Sequence, residues 1–197
     1  MTRAVMLIAD GFQDEEGLYA YHRMKEEGWS VDVATPSTWR TAGEQVNGRP
    51  EQIFGKFGVP LKVTHTCDDL DAANYDLVLI PGGFKAPDVL RMRPEVLAFV
   101  RQMFEYNRLV AMICHAPWVG ISAGIMRGRR ATCYASLKDD LINAGCEYLY
   151  EPVVVDGCLI TAPHYNQNGD FMRAVVEYVN RRTPAGPWSD TVHATNA

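Results

Sequence analysis

Cys114 and His115 stand side by side directly after the apolar run Leu109–Ile113, and Pro117 follows them. Proline is favoured in the first turn of a helix, so the thiol sits where a strand hands over to a helix. Unpaired backbone N–H groups and the positive end of a helix dipole favour the thiolate there, and the thiolate is the nucleophilic form. A sharp strand–turn–helix also pushes the side chain out of the sheet, as in a nucleophile elbow. An apolar strand is equally the usual home of an inert buried cysteine. Placement at the strand end is what favours the reactive reading. His115, titrating near neutrality, suits a general acid or base; a capping or partner-facing histidine is the alternative.

Three further groups fall near strand ends. Gly82-Gly83 follows the run Asp76–Ile80 and offers backbone N–H groups with no side chain in the way. Gly83 with the His115 N–H would make an oxyanion hole, although Pro-Gly-Gly is also a common way to leave a strand. Asp14-Glu15-Glu16 opens the first helix. Carboxylates there ordinarily complement the dipole, but one held beside Cys114 would have a raised pKa and share a proton with the thiol. His22, His65, His115, His164 and His193 show no ligand spacing. No metal site is expected, and the chemistry of Cys114 and His115 calls for no cofactor.

The elements that must position these residues alternate. Ala4–Ala9 reads as a strand, Glu15–Glu27 as a helix with Leu18, Tyr21, His22 and Met24 at helical spacing, and Val31–Ala34 as the next strand. Gly28 suits the end of that helix. Residues 36–60 show no clear period and read as an extended loop, small hairpin or lid. After Asp76–Ile80 come a helix over Pro94–Tyr106, the strand Leu109–Ile113 and a helix from Pro117 to about Gly124. A short strand near Ala131–Cys133, a helix over Leu137–Ala144 and a hairpin turning at Asp156-Gly157 follow, then a last helix over Phe171–Arg181. This order predicts one α/β domain over residues 1–182, with a flavodoxin-like, doubly wound, mainly parallel sheet and helices on both faces. In such sheets ligands bind at the carboxyl ends of the strands. Residues 183–197 read as a C-terminal tail.

Composition narrows the function. The chain has 197 residues and a net charge of −5, which argues against nucleic-acid binding, and Arg127-Gly-Arg129-Arg130 reads as a solvated loop. No apolar run approaches the length of a membrane span, and the first residues lack the pattern of a signal peptide. A cytoplasmic location is expected. The five cysteines are odd in number and scattered, as free thiols of a reducing compartment are.

Several stretches together resemble the ThiJ/PfpI superfamily over about Val5–Val179, and within it the PfpI-type intracellular peptidases and amidases. They are Tyr21-His-Arg-Met-Lys-Glu-Glu-Gly28, Ile113-Cys-His-Ala-Pro117 with Ser122-Ala-Gly124, and Gly128-Arg-Arg-Ala-Thr132. Lys138-Asp-Asp-Leu-Ile-Asn-Ala-Gly145 and Val153-Val-Val-Asp-Gly157 follow in the same order. The resemblance implies a nucleophilic Cys114, followed by His115, with Glu16 as the carboxyl on the sulfur. It implies homodimers or larger homo-oligomers, in which Asp88 of Ala86-Pro87-Asp88, from a neighbouring subunit, orients the histidine. The implied activities are peptide or amide hydrolysis, conversion of glyoxal-type aldehydes to hydroxy acids, and repair of glycated groups, all on a small-molecule or peptide carbonyl.

Three departures bear on the site. Ala116 stands where a glycine is usual, with Trp118 close behind, and one extra residue separates Gly83 from Ala86. The segment after the late strand reads Thr161-Ala-Pro-His-Tyr-Asn-Gln-Asn168, so Trp118, His164 and Tyr165 become candidate substrate contacts at a changed mouth. Two other readings stay open. A redox-sensing stress protein or chaperone would use an oxidisable Cys114 without turnover. A glutamine amidotransferase-like subunit ranks last, because neither His164 nor His193 belongs to a late His-x-Glu pair.

Overall fold

The computed structural model describes residues 1–41, 44–47 and 49–182, with 38–41 and 44–47 as backbone strands. Strand β1 (Arg3–Leu7) leads into helix α1 (Asp14–Glu26), and β2 (Ser30–Thr35) returns parallel to β1. Two antiparallel hairpins follow, β3 (Thr38–Thr41) with β4 (Glu44–Asn47) and β5 (Gln52–Phe54) with β6 (Pro60–Lys62). Then come β7 (His65–Thr66), β8 (Leu77–Ile80), α2 (Lys85–Leu90), α3 (Pro94–Glu105), β9 (Leu109–Ile113) and α4 (Pro117–Ala123). After β10 (Arg130–Ala131), α5 (Lys138–Asn143) and β11 (Glu147–Tyr148), the chain forms β12 (Val154–Asp156), β13 (Leu159–Ala162) and α6 (Asn168–Arg182).

Seven strands make the main sheet, in the order β12-β13-β9-β8-β1-β2-β7, all parallel except β12. Strands β8, β9 and β13 are buried along their whole length. That is the signature of a parallel sheet covered on both faces. From β1 the chain moves outward to β2, then starts again on the other side at β8. Right-handed crossovers in opposite directions put their helices on opposite faces, so α1, joined by α6, covers one face and α3 with α4 the other. The reversal between β1 and β8 leaves a crevice at their carboxyl ends, the place where such sheets bind ligands.

Details differ from the sequence reading for local reasons. The buried stripe of α1 is Glu16, Gly17, Ala20 and Met24, whereas His22 is exposed. Small residues on this stripe let the helix lie close: a Cβ on Gly17 would stand 2.7 Å from the Phe12 ring. The late hairpin turns at Gly157-Cys158, one residue beyond the expected position, with Gly157 at φ +61°. Helix α2 has no counterpart among the expected elements. The tail at 183–197 lies outside the described residues, as do positions 42, 43 and 48 of the 36–60 segment.

The β5–β6 hairpin is anchored to the start of α1. Asp14 is 4% exposed, and its carboxyl accepts the Phe57 N–H at 2.9 Å and the Val59 N–H at 3.1 Å. Asp10 accepts the Phe54 N–H at 2.6 Å. A Cβ on Gly55 would fall 2.1 Å from Asp14 Oδ1, so this approach requires glycine. Removing a buried acceptor leaves two N–H groups unpaired. Asp14→Ala is therefore expected to lower the unfolding free energy by about 2–3 kcal/mol, read from urea denaturation, and to expose residues 55–59 to proteolysis.

Candidate active site

Cys114 follows β9 with φ +64°, a left-handed backbone that only one other non-glycine residue, Asn107, shares among the described residues. Two backbone hydrogen bonds hold it there: its N–H donates to Ala162 O at 2.9 Å, and its carbonyl accepts the Tyr134 N–H at 2.9 Å. The kink turns the side chain out of the sheet. The residue is 6% exposed.

Around the sulfur the expected partners converge. His115 Nδ1 lies 3.2 Å from Cys114 Sγ. The backbone N–H groups of Gly83 and His115 both donate towards the sulfur. Glu16, 1% exposed, accepts the Gly82 N–H on Oε2 at 2.7 Å and meets the thiol with the same carboxyl. Its Oε1 is buried without a conventional partner. The Gly82 carbonyl in turn accepts the Gln13 N–H at 3.1 Å, which ties the end of β8 to the start of α1 in both directions. Gly82 can be nothing larger, since a Cβ would stand 2.5 Å from Cys114 Cβ and 2.6 Å from Glu16 Oε2.

Burial dominates the proton balance. It lifts the Glu16 carboxyl from 4.5 to about 7, against the Gly82 and Cys114 hydrogen bonds, which lower it. Burial, and then the Glu16 charge, push the Cys114 thiol up, and the Gly83 and His115 N–H groups pull it back. Burial, with the Glu16 charge second, therefore outweighs the N–H groups that favour the thiolate at this strand end. Burial also holds the His115 imidazole below its ordinary value, which favours the neutral ring.

Trp118 meets the His115 ring edge-on at 5.3 Å, and its indole N–H donates to Asp140 at 2.8 Å. Arg91 lies over the same indole, 5.4 Å from the ring centroid, and donates to Ser122 Oγ. Tyr134 stacks on His115 at 4.7 Å and on His164 at 5.9 Å. His164 caps the turn at Tyr165–Gln167, accepting the Asn166 N–H, and packs against Tyr165 at 3.8 Å. Asp88 is different. It is exposed on α2 and does not reach His115 of its own chain. Tyr134 was not among the expected site residues. It stands just past the short strand expected at Ala131–Cys133, so the strand-end rule that led to Cys114 also leads to it.

A mainly parallel sheet with a left-handed cysteine where an interior strand turns into a helix defines a flavodoxin-like α/β protein. Residues 2–178 match the DJ-1/PfpI family, and the chain belongs to it. It is 36% identical over 175 residues to Deglycase PfpI of Pyrococcus furiosus, covering 89% of this chain and 98% of that protein. It is 35% identical over 160 residues to the putative cysteine protease YraA of Bacillus subtilis, covering 81% and 88%. A solved two-domain protein of Anabaena variabilis, with DJ-1/ThiJ/PfpI-like and ferritin-like domains, matches with a TM-score of 0.82 and 31% identity. That match covers 91% of this chain and 48% of that one, so the chain spans about half of it. Relatives with deglycase and cysteine-protease names support a cysteine-type enzyme at the level of the family. Among the described residues, no helix is long and apolar enough to cross a membrane.

The raised Glu16 pKa has a measurable consequence. The folded protein keeps this proton between pH 4.5 and about 7, where the unfolded chain has released it. Stability from this group is therefore complete at low pH and lost as pH rises through about 7, by up to roughly 3 kcal/mol. Gln cannot ionise. The melting temperature of Glu16→Gln should gain on wild type as pH goes from 5 to 8, and a flat difference would show an unperturbed carboxyl.

Proposed function

We propose that the protein is a cofactor-independent cysteine enzyme acting on a small carbonyl or amide substrate, with Cys114 as nucleophile. The observation that carries this reading is the convergence of Glu16, the Nδ1 of His115 and the N–H groups of Gly83 and His115 on one left-handed thiol. The thiolate forms a C–S bond to the substrate carbon, and the carbonyl electron pair moves to oxygen. The Gly83 and His115 N–H groups stabilise that oxygen. The thiol proton goes to His115 or is held by Glu16.

For an amide, the proton then passes to the leaving nitrogen, the C–N bond breaks, and water hydrolyses the thioester to regenerate the thiol. For an α-oxoaldehyde, the first adduct is a hemithioacetal. Moving its carbon-bound proton to the adjacent carbon gives a hydroxyacyl thioester, and water releases the hydroxy acid. Glycated groups present the same kind of carbon. Asp88 of a neighbouring copy in a homodimer or larger homo-oligomer completes the site by orienting His115, and His164, Tyr165 and Trp118 meet the substrate at the mouth. A cytoplasmic location fits five free thiols.

The test is alkylation by iodoacetamide across pH, resolved by site with mass spectrometry. Cys114 should label far faster than Cys67, Cys133, Cys146 or Cys158, with a profile that Glu16→Gln displaces. In turnover of methylglyoxal and of peptide amides, Cys114→Ala should fall to background and His115→Ala should lose about 100-fold in kcat. Oxidation of Cys114 by peroxide with no turnover of any aldehyde or amide would replace this reading with a redox sensor.

A further inference from the structure

Beside the site lies a cavity of about 390 Å³ that neither Cys114 nor His115 lines. Pocket volumes of roughly 300–1,000 Å³ are typical of small-molecule sites. Tyr134, Tyr148, Pro152 and Pro163 give it an aromatic and apolar wall, and Asn166 and Gln167 add neutral polar groups. Its one charged lining residue is Glu151, and no Lys or Arg lines it. An anionic group therefore meets a carboxylate and no cationic side chain there, whereas a neutral ring meets aromatic faces.

The cavity is joined to the reacting centre by a shared wall. Tyr134 lines the cavity, stacks on the His115 ring at 4.7 Å, and donates its backbone N–H to the Cys114 carbonyl at 2.9 Å. His164 lines it too and stacks on Tyr134. One aromatic ring thus separates the cavity from the histidine, whose Nδ1 is 3.2 Å from the sulfur. Tyr150, which also lines the cavity, is 92% exposed, so its ring is available to a ligand from the solvent side. An apolar cavity of about 150 Å³ suffices to hold benzene, so this one takes a ring together with part of its linker.

We propose that this cavity is a specificity subsite that receives a neutral aromatic group of the substrate, carried a short linker away from the carbon that Cys114 attacks. The proposal rests on Cys114 being the nucleophile and names the substrate class for it: aryl-bearing carbonyl or amide compounds, preferred over small or anionic ones. Tyr134 divides the reacting centre from the subsite and sets the linker length.

The experiment measures alkylation of Cys114, site-resolved by mass spectrometry, in the full-length protein. The reagents are iodoacetamide, N-benzyliodoacetamide and N-(4-carboxybenzyl)iodoacetamide, each rate divided by that with glutathione. In every case the sulfur–carbon bond forms, iodide leaves and the thiol proton goes to a base, so only the appended group differs. The benzyl reagent should exceed iodoacetamide by about tenfold or more, and the carboxybenzyl reagent should lose that gain. Tyr150→Ala, at an exposed position that folding does not depend on, and Asn166→Trp, which fills the mouth, should each drive the benzyl ratio towards one.

A ratio near one in wild type overturns the proposal while leaving the nucleophile in place. A high ratio that neither variant moves overturns it as well, by putting the ring elsewhere. If none of the three reagents labels Cys114, the nucleophile reading itself has failed, and the subsite falls with it.

Discussion

The site depends on one backbone conformation, the left-handed turn of Cys114 at the end of β9. A side chain in this region costs on the order of 1–3 kcal/mol, so it persists only where the surroundings over-determine it. Here they do. Its N–H is held by the neighbouring strand β13, through Ala162 O, and its carbonyl by Tyr134, in the segment that follows β10. With the backbone pinned on both sides, the sulfur has one place to go, into the crevice between β1 and β8. Everything else at the site is arranged to leave that place open. Gly82 carries no side chain where one would collide with Cys114, and Gly83 takes φ +79° to turn its N–H towards the sulfur.

Two carboxyls two residues apart on the first turn of α1 do unlike work, and their neighbours decide which. Asp14 meets the N–H groups of Phe57 and Val59 and serves as an anchor for a hairpin. Glu16 meets one N–H, from Gly82, and a thiol, inside an apolar wall. The Gly82 N–H and the thiol offset burial only in part, so the carboxyl keeps its proton up to about pH 7. A protonated carboxyl can donate to a thiolate, whereas an ionised one repels it. The same contact that pushes the thiol up while Glu16 is charged thus turns favourable once Glu16 takes the proton. The neutral His115 ring beside them can accept the thiol proton.

The residues that are buried on both faces were the easiest to read. The runs at β1, β8 and β9 are continuous and apolar, and a parallel sheet follows from them with Cys114 at the carboxyl end of its interior strand. The short pieces were harder. Strands of two residues, such as β7 and β11, have no period to detect, and the six-residue α2 hides behind Pro87. Tyr134 has only its place past a short strand to mark it; its contact with the site comes from stacking on a histidine 19 positions earlier. The anchor at Asp14 was equally hidden, since a carboxylate at a helix start already has a sufficient explanation in the dipole.

The Glu16 contact was legible only through the resemblance, and the structure supplies its physical reason. Packed on β2, α6 and the Phe12 ring, the buried stripe of α1 must be small where the helix lies closest, and Gly17 and Ala20 serve that purpose. A carboxyl placed on such a stripe cannot reach water. It must find its partners at the strand ends, and the nearest are the Gly82 N–H and the Cys114 thiol. Close packing of α1 and the chemistry of the thiol are therefore one constraint. Any change that lifts the helix from the sheet, even far from the sulfur, lets water reach Glu16 and returns its pKa towards 4.5, where it is charged and opposes the thiolate.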